Sequence, residues 1–462
     1  MATSKVERIV FVSLVLDLFA FTIPLPLFPR IIEWYTTREI TDSHGLLSRT
    51  LAFVSYLRGM FYNPAQQSRR WDIVLLGGLM GSVFSTLQYL VSPRIGALSD
   101  KYGRKRVLLV SMAGNILSAI IWMQSTSFSS YILSRVVGGL SEGNVQLAIA
   151  IISDVTTPTN RSKSLAFVGI AFAICFCVGP PIGAYFALQP VPSIVKACGM
   201  ELNVYAVPAF ITLVLLVVET GFLAIALPET RGTKPPAPLQ ISTKSNADAA
   251  APQIARKSPE DRLKLLGSLR RFHLLFLMIF SGVEFTLTFL TFDLLDWNNT
   301  QNGKLLASIG VVSALLQGGY VRRSLAKTGE IVMSRRGLSS CALALVCLAL
   351  LPHFVGFNDL VVHRLLQAAA VLLAFTSATV VNSLTACASL QCDEGFDQST
   401  GKPHSEHPQL AKGWALGKFR SSGQLGRAMG PLIACALYWT FGPSTTYAVS
   451  AAAMFILSAT MK

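Results

Sequence analysis

Among the charged side chains inside long apolar stretches of the sequence, four are candidates for proton coupling: Asp17, Arg135, Glu142 and Glu284. A charge in hydrocarbon costs at least ~2.5 kcal/mol on insertion scales unless it is paired or hydrated, so such residues usually serve a function. A poorly solvated carboxyl group holds its proton tightly, and a nearby arginine weakens that hold. Acids that meet an arginine in only one conformation would therefore bind and release protons as the protein moves.

Arg135 and Glu142 form the pair on which this expectation depends. Seven residues separate them, so on one continuous helix they would lie on nearly the same face. Gly138 and Gly139 between them would let another backbone approach closely. At 1.5 Å per helical residue, Asp17 and Glu142 lie roughly 12 Å and 18 Å from the same membrane face. We therefore expect the three charges to share one cavity; the alternative is a static arginine–glutamate contact that only joins helices.

The composition indicates that the elements holding these charges are membrane helices. Of the 462 residues, 52% are hydrophobic and only 14% are charged, with a mean hydropathy of +0.52. Twelve apolar runs are long enough to cross a hydrocarbon layer of ~30 Å. The predicted spans are 9–32, 73–95, 105–124, 129–154, 163–187, 203–227, 272–294, 305–321, 337–352, 360–390, 412–440 and 443–461. The sequence thus predicts an all-α membrane protein.

Lysine and arginine predict the orientation, because they are enriched in cytosolic loops. If the N-terminus is cytosolic, the cytosolic segments contain 26 of them and the opposite segments 7. We therefore expect a multi-pass protein with both termini in the cytosol, whereas the choice between plasma membrane and endomembrane stays open. The net charge of +15 lies in the gaps between apolar runs, so we expect no nucleic-acid binding.

The segment 228–271 divides the predicted spans into two groups of six. It contains a run rich in proline, alanine, serine and threonine without apolar periodicity, which predicts a disordered cytosolic linker. The domains expected are an N-terminal six-helix bundle, 1–227, and a C-terminal six-helix bundle, 272–462. Gly179-Pro180 and Gly430-Pro431 occupy similar depths in spans five and eleven. Such internal symmetry is typical of secondary transporters that bind substrate between two repeats.

The first extracytosolic loop, 33–72, is unusually long. Residues 46–61 within it form either a short amphipathic helix at the membrane or a loop segment packed on the protein surface. Asn298 begins an acceptor sequon on the same predicted side, but it lies so close to span seven that its glycosylation stays open.

Residues 96–106 read G-A-L-S-D-K-Y-G-R-K-R and connect spans two and three. They resemble the G-x-L-x-D-[RK]-x-G-[RK]-[RK] loop of the major facilitator superfamily. A basic turn alone would explain the lysine and arginines as topology signals, but it would not explain Asp100. We expect this acid to contact Arg104 and the amide end of a neighbouring helix. The resemblance implies a latch between the two halves in the outward-facing state, formed by Gly96, Asp100, Gly103, Arg104 and Lys105.

Three further motifs resemble the same superfamily. Span four contains R-x-x-x-G, with Arg135 and Gly139. Span five contains G-P-x-x-G-A, similar to the antiporter signature G-P-x-x-G-G and including Gly179, Pro180 and Gly183. In span one, the stretch L-D-L-F-A-F-T-I-P-L-P-L-F-P resembles the D-x-x-x-x-x-x-P-x-x-P region of twelve-span drug:proton antiporters, with Asp17 as the acid. Together these motifs imply the major facilitator fold of two six-helix bundles. In spans five and eleven, Gly179, Pro180, Gly183, Gly430 and Pro431 are expected to pack helices.

The whole chain most resembles the tetracycline-transporter-like branch. This resemblance implies proton-coupled antiport, directed to efflux, of small amphiphilic compounds or organic anions by rocking-bundle alternating access. Uniport, proton symport and a non-transporting receptor or scaffold stay open as alternatives. The partners expected are a small-molecule substrate, protons and the lipid bilayer, and we expect a monomer without a cofactor. No phosphate-binding loop, metal-ligand spacing or nucleophile constellation indicates an enzyme.

Four side chains are candidates for the substrate path: Arg427, Asn144, Gln146 and Gln317. For the three amides, polar contacts between helices are the alternative. For Arg427 and Glu284, the alternative is an ion pair between bundles. Two other charges, Glu219 and Arg420, lie near predicted cytosolic helix ends. For Glu219, the sequence favours a side chain that snorkels to the membrane surface. For Arg420, it favours a contact with a lipid phosphate or with the latch.

Overall fold

The computed structural model describes residues 2–24, 27–39, 44–61, 69–187, 205–232, 258–297, 299–393 and 407–461. Asn298 of the sequon and residues 233–257 of the predicted linker lie outside these ranges. Nearly all secondary structure in the described residues is helical. The helices before the linker are α1 (Ala2–Thr22), α2 (Phe28–Arg38), α3 (Leu46–Phe61), α4 (Arg69–Tyr102), α5 (Arg104–Met123), α6 (Phe128–Ser141), α7 (Asn144–Val155), α8 (Pro158–Ala187) and α9 (Ala206–Ala226).

Six further helices follow the linker. They are α10 (Pro259–Leu295), α11 (Asn299–Leu316), α12 (Arg322–Thr328), α13 (Glu330–Leu350), α14 (Asp359–Leu390) and α15 (Lys412–Thr460). A π-helical turn, Gln317–Val321, joins α11 to α12. Helix α15 is broken at Gly442, whose φ of 82° is not helical, and the break coincides with the predicted boundary between spans eleven and twelve.

Among the described residues, eight helical stretches are long and apolar enough to cross a membrane. The chain is therefore a multi-pass membrane protein. The remaining four predicted spans fall on α1, α4 and the two parts of α15. The count of twelve spans stays a prediction.

Two predicted span boundaries lie ten or more residues from the corresponding helix ends. Span one was expected to reach residue 32, but α1 ends at Thr22, just before Pro24, which lacks the amide needed to continue a helix. Span seven was expected to begin at residue 272, but α10 begins at Pro259, so the end of the predicted linker is helical. The Ser258 hydroxyl accepts a hydrogen bond from the amide of Asp261 at 3.2 Å, and this N-cap explains the early start.

The described part of the long first loop is largely helical. Residues 46–61 form α3, which packs on α4 and α6, so of the two alternatives the segment is a helix. On α2, the buried Tyr35 hydroxyl donates to the carbonyl oxygen of Ser125 at 3.0 Å. Glu39 accepts from the amide of Phe128 at 2.7 Å. The described part of this loop therefore covers the turn between α5 and α6.

The two glycine–proline motifs lie at close helix contacts. A Cβ atom on Gly183 would overlap the carbonyl oxygen of Ile23, at the end of α1. A Cβ atom on Gly430 would overlap the carbonyl oxygen of Met278 on α10. Glycine at these positions thus seats α8 against α1 and α15 against α10. Since α1 and α10 carry the first predicted span of each half, the two contacts are at equivalent places in the halves.

Candidate functional site

Glu142 lies in a break between α6 and α7. Its backbone is extended, with φ −70° and ψ 100°, and Gly143 follows with φ −132° and ψ −3°. A side chain on Gly143 would overlap Ile95 of α4, so glycine permits this close packing. Span four is therefore not one continuous helix, because α6, which carries Arg135, ends at Ser141 with Glu142 as its C-cap, and α7 begins at Asn144.

The break brings a second acid close to Glu142. Asn144, the first residue of α7, donates from Nδ2 to Oδ1 of Asp17 on α1 at 2.7 Å. Asn115 on α5 donates from Nδ2 to Oε2 of Glu142 at 3.4 Å. The two acids interact electrostatically. The structure thus places Asp17 and Glu142 in one cluster, whereas their role in proton transfer stays a prediction.

The cation of this cluster is Arg420 on α15. It interacts electrostatically with both Asp17 and Glu142. Arg135 instead lies over aromatic rings, with its guanidinium carbon 5.9 Å from the centroid of Phe84 and 5.6 Å from that of Tyr131. The structure therefore adds Arg420 to the charges beside these acids, whereas a proton-coupling role for Arg135 stays a prediction. The sequence contained one signal for Arg420, because Arg420 and Arg427 are seven residues apart on one apolar run and so share a face.

Glu219 on α9 joins the same cluster. Its side chain is buried, and its Oε1 accepts a hydrogen bond from the hydroxyl of Ser13 on α1 at 2.7 Å. It also interacts electrostatically with Asp17 and Glu142. The snorkelling that the sequence favoured is wrong, because α1 supplies a hydrogen-bond partner inside the protein. We refer to Asp17, Glu142, Glu219 and Arg420 as the charge cluster.

Glu284 and Arg427 lie on the other side of Arg420. Arg427 interacts electrostatically with both Glu284 and Arg420. Charged side chains therefore continue from Arg420 along α15 to Glu284 on α10. Glu284 is exposed, while Arg427 and Glu142 are half-buried. The buried ring of His273 on α10 stacks on Phe419 with centroids 4.2 Å apart.

Of the three predicted path amides, only Asn144 contacts an acid. Gln146 donates from Nε2 to the carbonyl oxygen of Ser92 at 3.0 Å, which is a contact between α7 and α4. Gln317 is buried in the π-helical turn, where it packs with Asn382 against Gly169 of α8. The structure does not bring Gln146 or Gln317 into the charge cluster.

Asp100 contacts both partners that the sequence predicts. Its Oδ1 lies 2.8 Å from Nη1 of Arg104. Its two oxygens accept from the amides of Gly413 at 2.9 Å and Trp414 at 2.7 Å, in the first turn of α15. Because unpaired amides and the helix dipole favour an anion there, Asp100 caps α15. Gly96 permits the approach, since its Cβ would overlap the carbonyl oxygen of Gly413.

A second acid, Asp154 at the end of α7, completes this set of contacts. Its Oδ2 accepts from Nε of Arg104 at 2.9 Å, and its Oδ1 lies 3.4 Å from Nζ of Lys412. We refer to Asp100, Arg104, Asp154 and Lys412 as the loop network. Sequence reasoning missed Asp154, although an acid at the predicted cytosolic end of span four meets the criterion that selected Asp100.

The fully buried Arg161 on α8 is another residue that sequence reasoning missed. Its Nη2 donates to the carbonyl oxygens of Ser153 and Thr156, each at 3.1 Å, and its Nη1 donates to that of Ser389 at 3.2 Å. These carbonyls lie at the C-terminal ends of α7 and α14, where a cation is favourable. Arg161 thus joins a helix that precedes the linker to one that follows it.

Gly103 and Lys105 position the start of α5. Gly103 has a φ of 102°, which favours glycine. The amides of Arg104 and Lys105 donate to Glu229 at 2.8 Å and 3.2 Å, and Lys105 Nζ donates to the carbonyl oxygen of Ala224 at 2.8 Å. The turn after α4 is therefore attached to the end of α9.

Known proteins resemble this chain over most of its length. The Major Facilitator Superfamily profile matches residues 10–396. Major facilitator superfamily domain-containing protein 10 of Bos taurus is 34% identical and covers 98% of this chain and 91% of that protein. The class H tetracycline resistance protein of Pasteurella multocida is 32% identical over 23% of this chain and 26% of that protein.

A solved structure agrees with these matches. The crystal structure of the human organic anion transporter MFSD10 (TETRAN) aligns with a TM-score of 0.79 and 29% sequence identity, covering 100% of both chains. The agreement extends over the helices that carry the charge cluster and the loop network. The chain therefore belongs to the major facilitator superfamily of membrane transporters.

Proposed function

We propose that this chain is a proton-coupled secondary transporter that exports small amphiphilic organic compounds, organic anions among them. It would use twelve spans in two six-helix bundles, 1–227 and 272–462, with both termini in the cytosol. The charge cluster is the observation that supports this proposal, because its acids precede the linker and its arginine follows it. The similarity to the human organic anion transporter supports the substrate class.

The position of Arg420 provides a coupling mechanism. When the bundles rock, α15 moves relative to α1 and α7, so the distance from Arg420 to Asp17 and Glu142 changes. Near the arginine the acids release protons, and away from it they bind them. A substrate whose positive group needs the ionised acids competes with protons and is exchanged for them. This order of events is antiport.

If the substrate is an organic anion, proton symport is a second candidate function. Arg420 and Arg427 are the cations beside the acids, and an anion that binds them competes with Asp17 and Glu142 for positive charge. The acids left without a cation then bind protons more tightly, so anion and proton bind together. The two candidates predict opposite proton movement for the same direction of substrate transport.

The test uses purified full-length protein in liposomes with an imposed pH gradient. We expect Asp17→Asn or Glu142→Gln to abolish uphill transport while counterflow exchange continues, because exchange needs no net proton movement. Asp261→Asn is the matched control. The Asp261 side chain is 61% exposed, and it is separated in sequence from every residue of the charge cluster. If both neutral variants still concentrate substrate with unchanged pH dependence, the charge cluster does not carry the coupled proton, and Glu284 becomes the next candidate. If the unmodified protein moves neither anionic nor cationic amphiphiles, the receptor or scaffold alternative is favoured.

A further inference from the structure

Helices α13 and α14 form a groove of about 530 Å³ that is separate from the charge cluster. Its two ends differ in chemistry. One end is lined by Arg335 and Arg336 near the start of α13, and the other by Leu343 and Val371. Arg335 and Leu343 are eight residues apart, so the groove changes from basic to apolar over ~12 Å along the helix.

The arginines at the basic end are free to bind a ligand. Both are exposed, and within the described ranges neither guanidinium has a hydrogen bond or an ion pair. Ser340 also lines the groove, but unlike the two guanidinium groups it has a partner among the described residues, because its hydroxyl donates to the carbonyl oxygen of Leu372 at 2.9 Å. Two adjacent, uncompensated guanidinium groups match a phosphate, which they can bind through paired hydrogen bonds.

The apolar end presents side chains that face away from the protein interior. Val371 is 55% exposed and Leu343 is 49% exposed, whereas the neighbouring Leu338 and Leu345 are completely buried. Since α13 and α14 each contain a membrane-spanning stretch, this end of the groove faces hydrocarbon. The exposed aliphatic surface therefore suits an acyl chain.

We propose that this groove binds an anionic phospholipid, with its phosphate on Arg335 and Arg336 and an acyl chain along Leu343 and Val371. Charge complementarity selects this ligand, because a zwitterionic headgroup carries its own cation and so brings no net negative charge to the two guanidinium groups. The ~12 Å gradient matches the transition from headgroup to hydrocarbon in one leaflet. In the proposed orientation this is the cytosolic leaflet, where anionic lipids are enriched.

Lipid binding is measured on the purified full-length chain in non-ionic detergent. Dioleoyl phosphatidylglycerol is titrated while the melting temperature is followed, and native mass spectrometry counts the retained lipids. We expect phosphatidylglycerol to raise the melting temperature of the unmodified protein, increasingly as its concentration exceeds the dissociation constant. In the double variant Arg335→Gln/Arg336→Gln, we expect its apparent dissociation constant to rise at least tenfold.

Three comparisons distinguish binding in this groove from general attraction of lipid to a basic, apolar surface. The double variant Lys264→Gln/Arg271→Gln removes the same charge from exposed positions of α10 and should bind like the unmodified protein. Val371→Trp fills the apolar end while keeping both arginines, and it should weaken binding as strongly as the arginine variant. Dioleoyl phosphatidylcholine and glycerol phosphate should produce no comparable shift.

Each contrary result overturns a named part of the proposal. Equal stabilisation by phosphatidylcholine would show that the groove does not recognise charge. An equal effect of glycerol phosphate would show a small-anion site without an acyl chain. Unchanged lipid retention in both the arginine variant and Val371→Trp would place the bound lipid elsewhere. The melting temperatures without lipid show whether each variant is folded, so a loss of binding is not confused with misfolding.

Discussion

The amide of Arg104 donates a hydrogen bond of 2.8 Å to Oε1 of Glu229, which lies 125 residues further along the chain. The same carboxylate accepts from the amide of Lys105, so it caps the start of α5. Arg231, two residues beyond Glu229, donates from Nη1 to the carbonyl oxygen of Lys101 at 2.5 Å. Residues 229–231, at the start of the predicted linker, therefore hold the turn between α4 and α5.

Replacing Glu229 should loosen this turn. In Glu229→Gln, one oxygen acceptor and the negative charge at the N-terminus of α5 are lost, which costs about 0.5–2 kcal/mol for a capping residue. We expect faster hydrogen exchange at the amides of residues 103–107, together with a slower transport cycle. Glu260→Gln, in the first turn of α10, is the control. Unchanged exchange at 103–107 would show that Glu229 does not hold the turn.

Asp100→Asn should weaken the contact between α4 and α15. The carboxylate accepts two amide hydrogen bonds from α15, and bonds to a charged group contribute about 1.5–3 kcal/mol each. We expect the variant to insert normally and to populate a conformation in which residues 96–104 and 412–418 are more exposed. Hydrogen exchange of both segments measures this shift. Normal exchange and ordinary transport would leave the basic residues of this loop as a topology signal only.

Gly413→Ala should open the same contact by steric overlap. The added methyl group would meet the carbonyl oxygen of Gly96 and the guanidinium of Arg104. We therefore expect a lower melting temperature, although alanine is favoured over glycine in a helix by about 1 kcal/mol. Gly221→Ala on α9 is the matched control, because no atom lies within 4 Å of the added Cβ. The prediction is wrong if the two alanine variants are equally stable.

Arg420→Gln should separate proton coupling from folding. Without the cation, Asp17 and Glu142 bind protons more tightly, so we expect the pH at which transport is half-maximal to move upward. Arg420→Lys should show a smaller shift than Arg420→Gln, because lysine keeps the positive charge. Lys418→Gln, two residues away on α15, controls for the loss of one positive charge. An identical pH profile in Arg420→Gln and the unmodified protein would contradict a coupling role for Arg420.

Orientation is tested with inserted reporters. The distribution of lysine and arginine, 26 against 7, predicts that a reporter in residues 233–257 and one after Lys462 are cytosolic. A reporter between residues 62 and 68, after α3, should lie on the opposite side. Protease protection in sealed vesicles distinguishes these positions. A linker reporter on the extracytosolic side would invert the proposed topology.

The amino-acid sequence by itself determined the membrane environment and the family, and it predicts the spans and their orientation. Hydropathy, the lysine and arginine distribution and the loop at 96–106 are local patterns, so they can be read without contacts between distant residues. The expected partners of Asp100 followed from the same reasoning, because a lone acid in a basic turn needs a cation and free amides. The boundaries of α1 and α10 depend on Pro24 and on the N-cap Ser258, which are also local signals in the sequence.

The tertiary structure alone decided which charges meet. The sequence pattern pairs Arg135 with the acids, yet the structure brings Arg420 to them, because α15 packs beside α7, whose first residue, Asn144, contacts Asp17. Asp154 and Glu229 likewise gained their roles from residues 50 and 125 positions away. Such pairings depend on how helices pack, and helix packing is set by the sum of many weak contacts along whole faces. No local pattern around any one of these residues contains that sum.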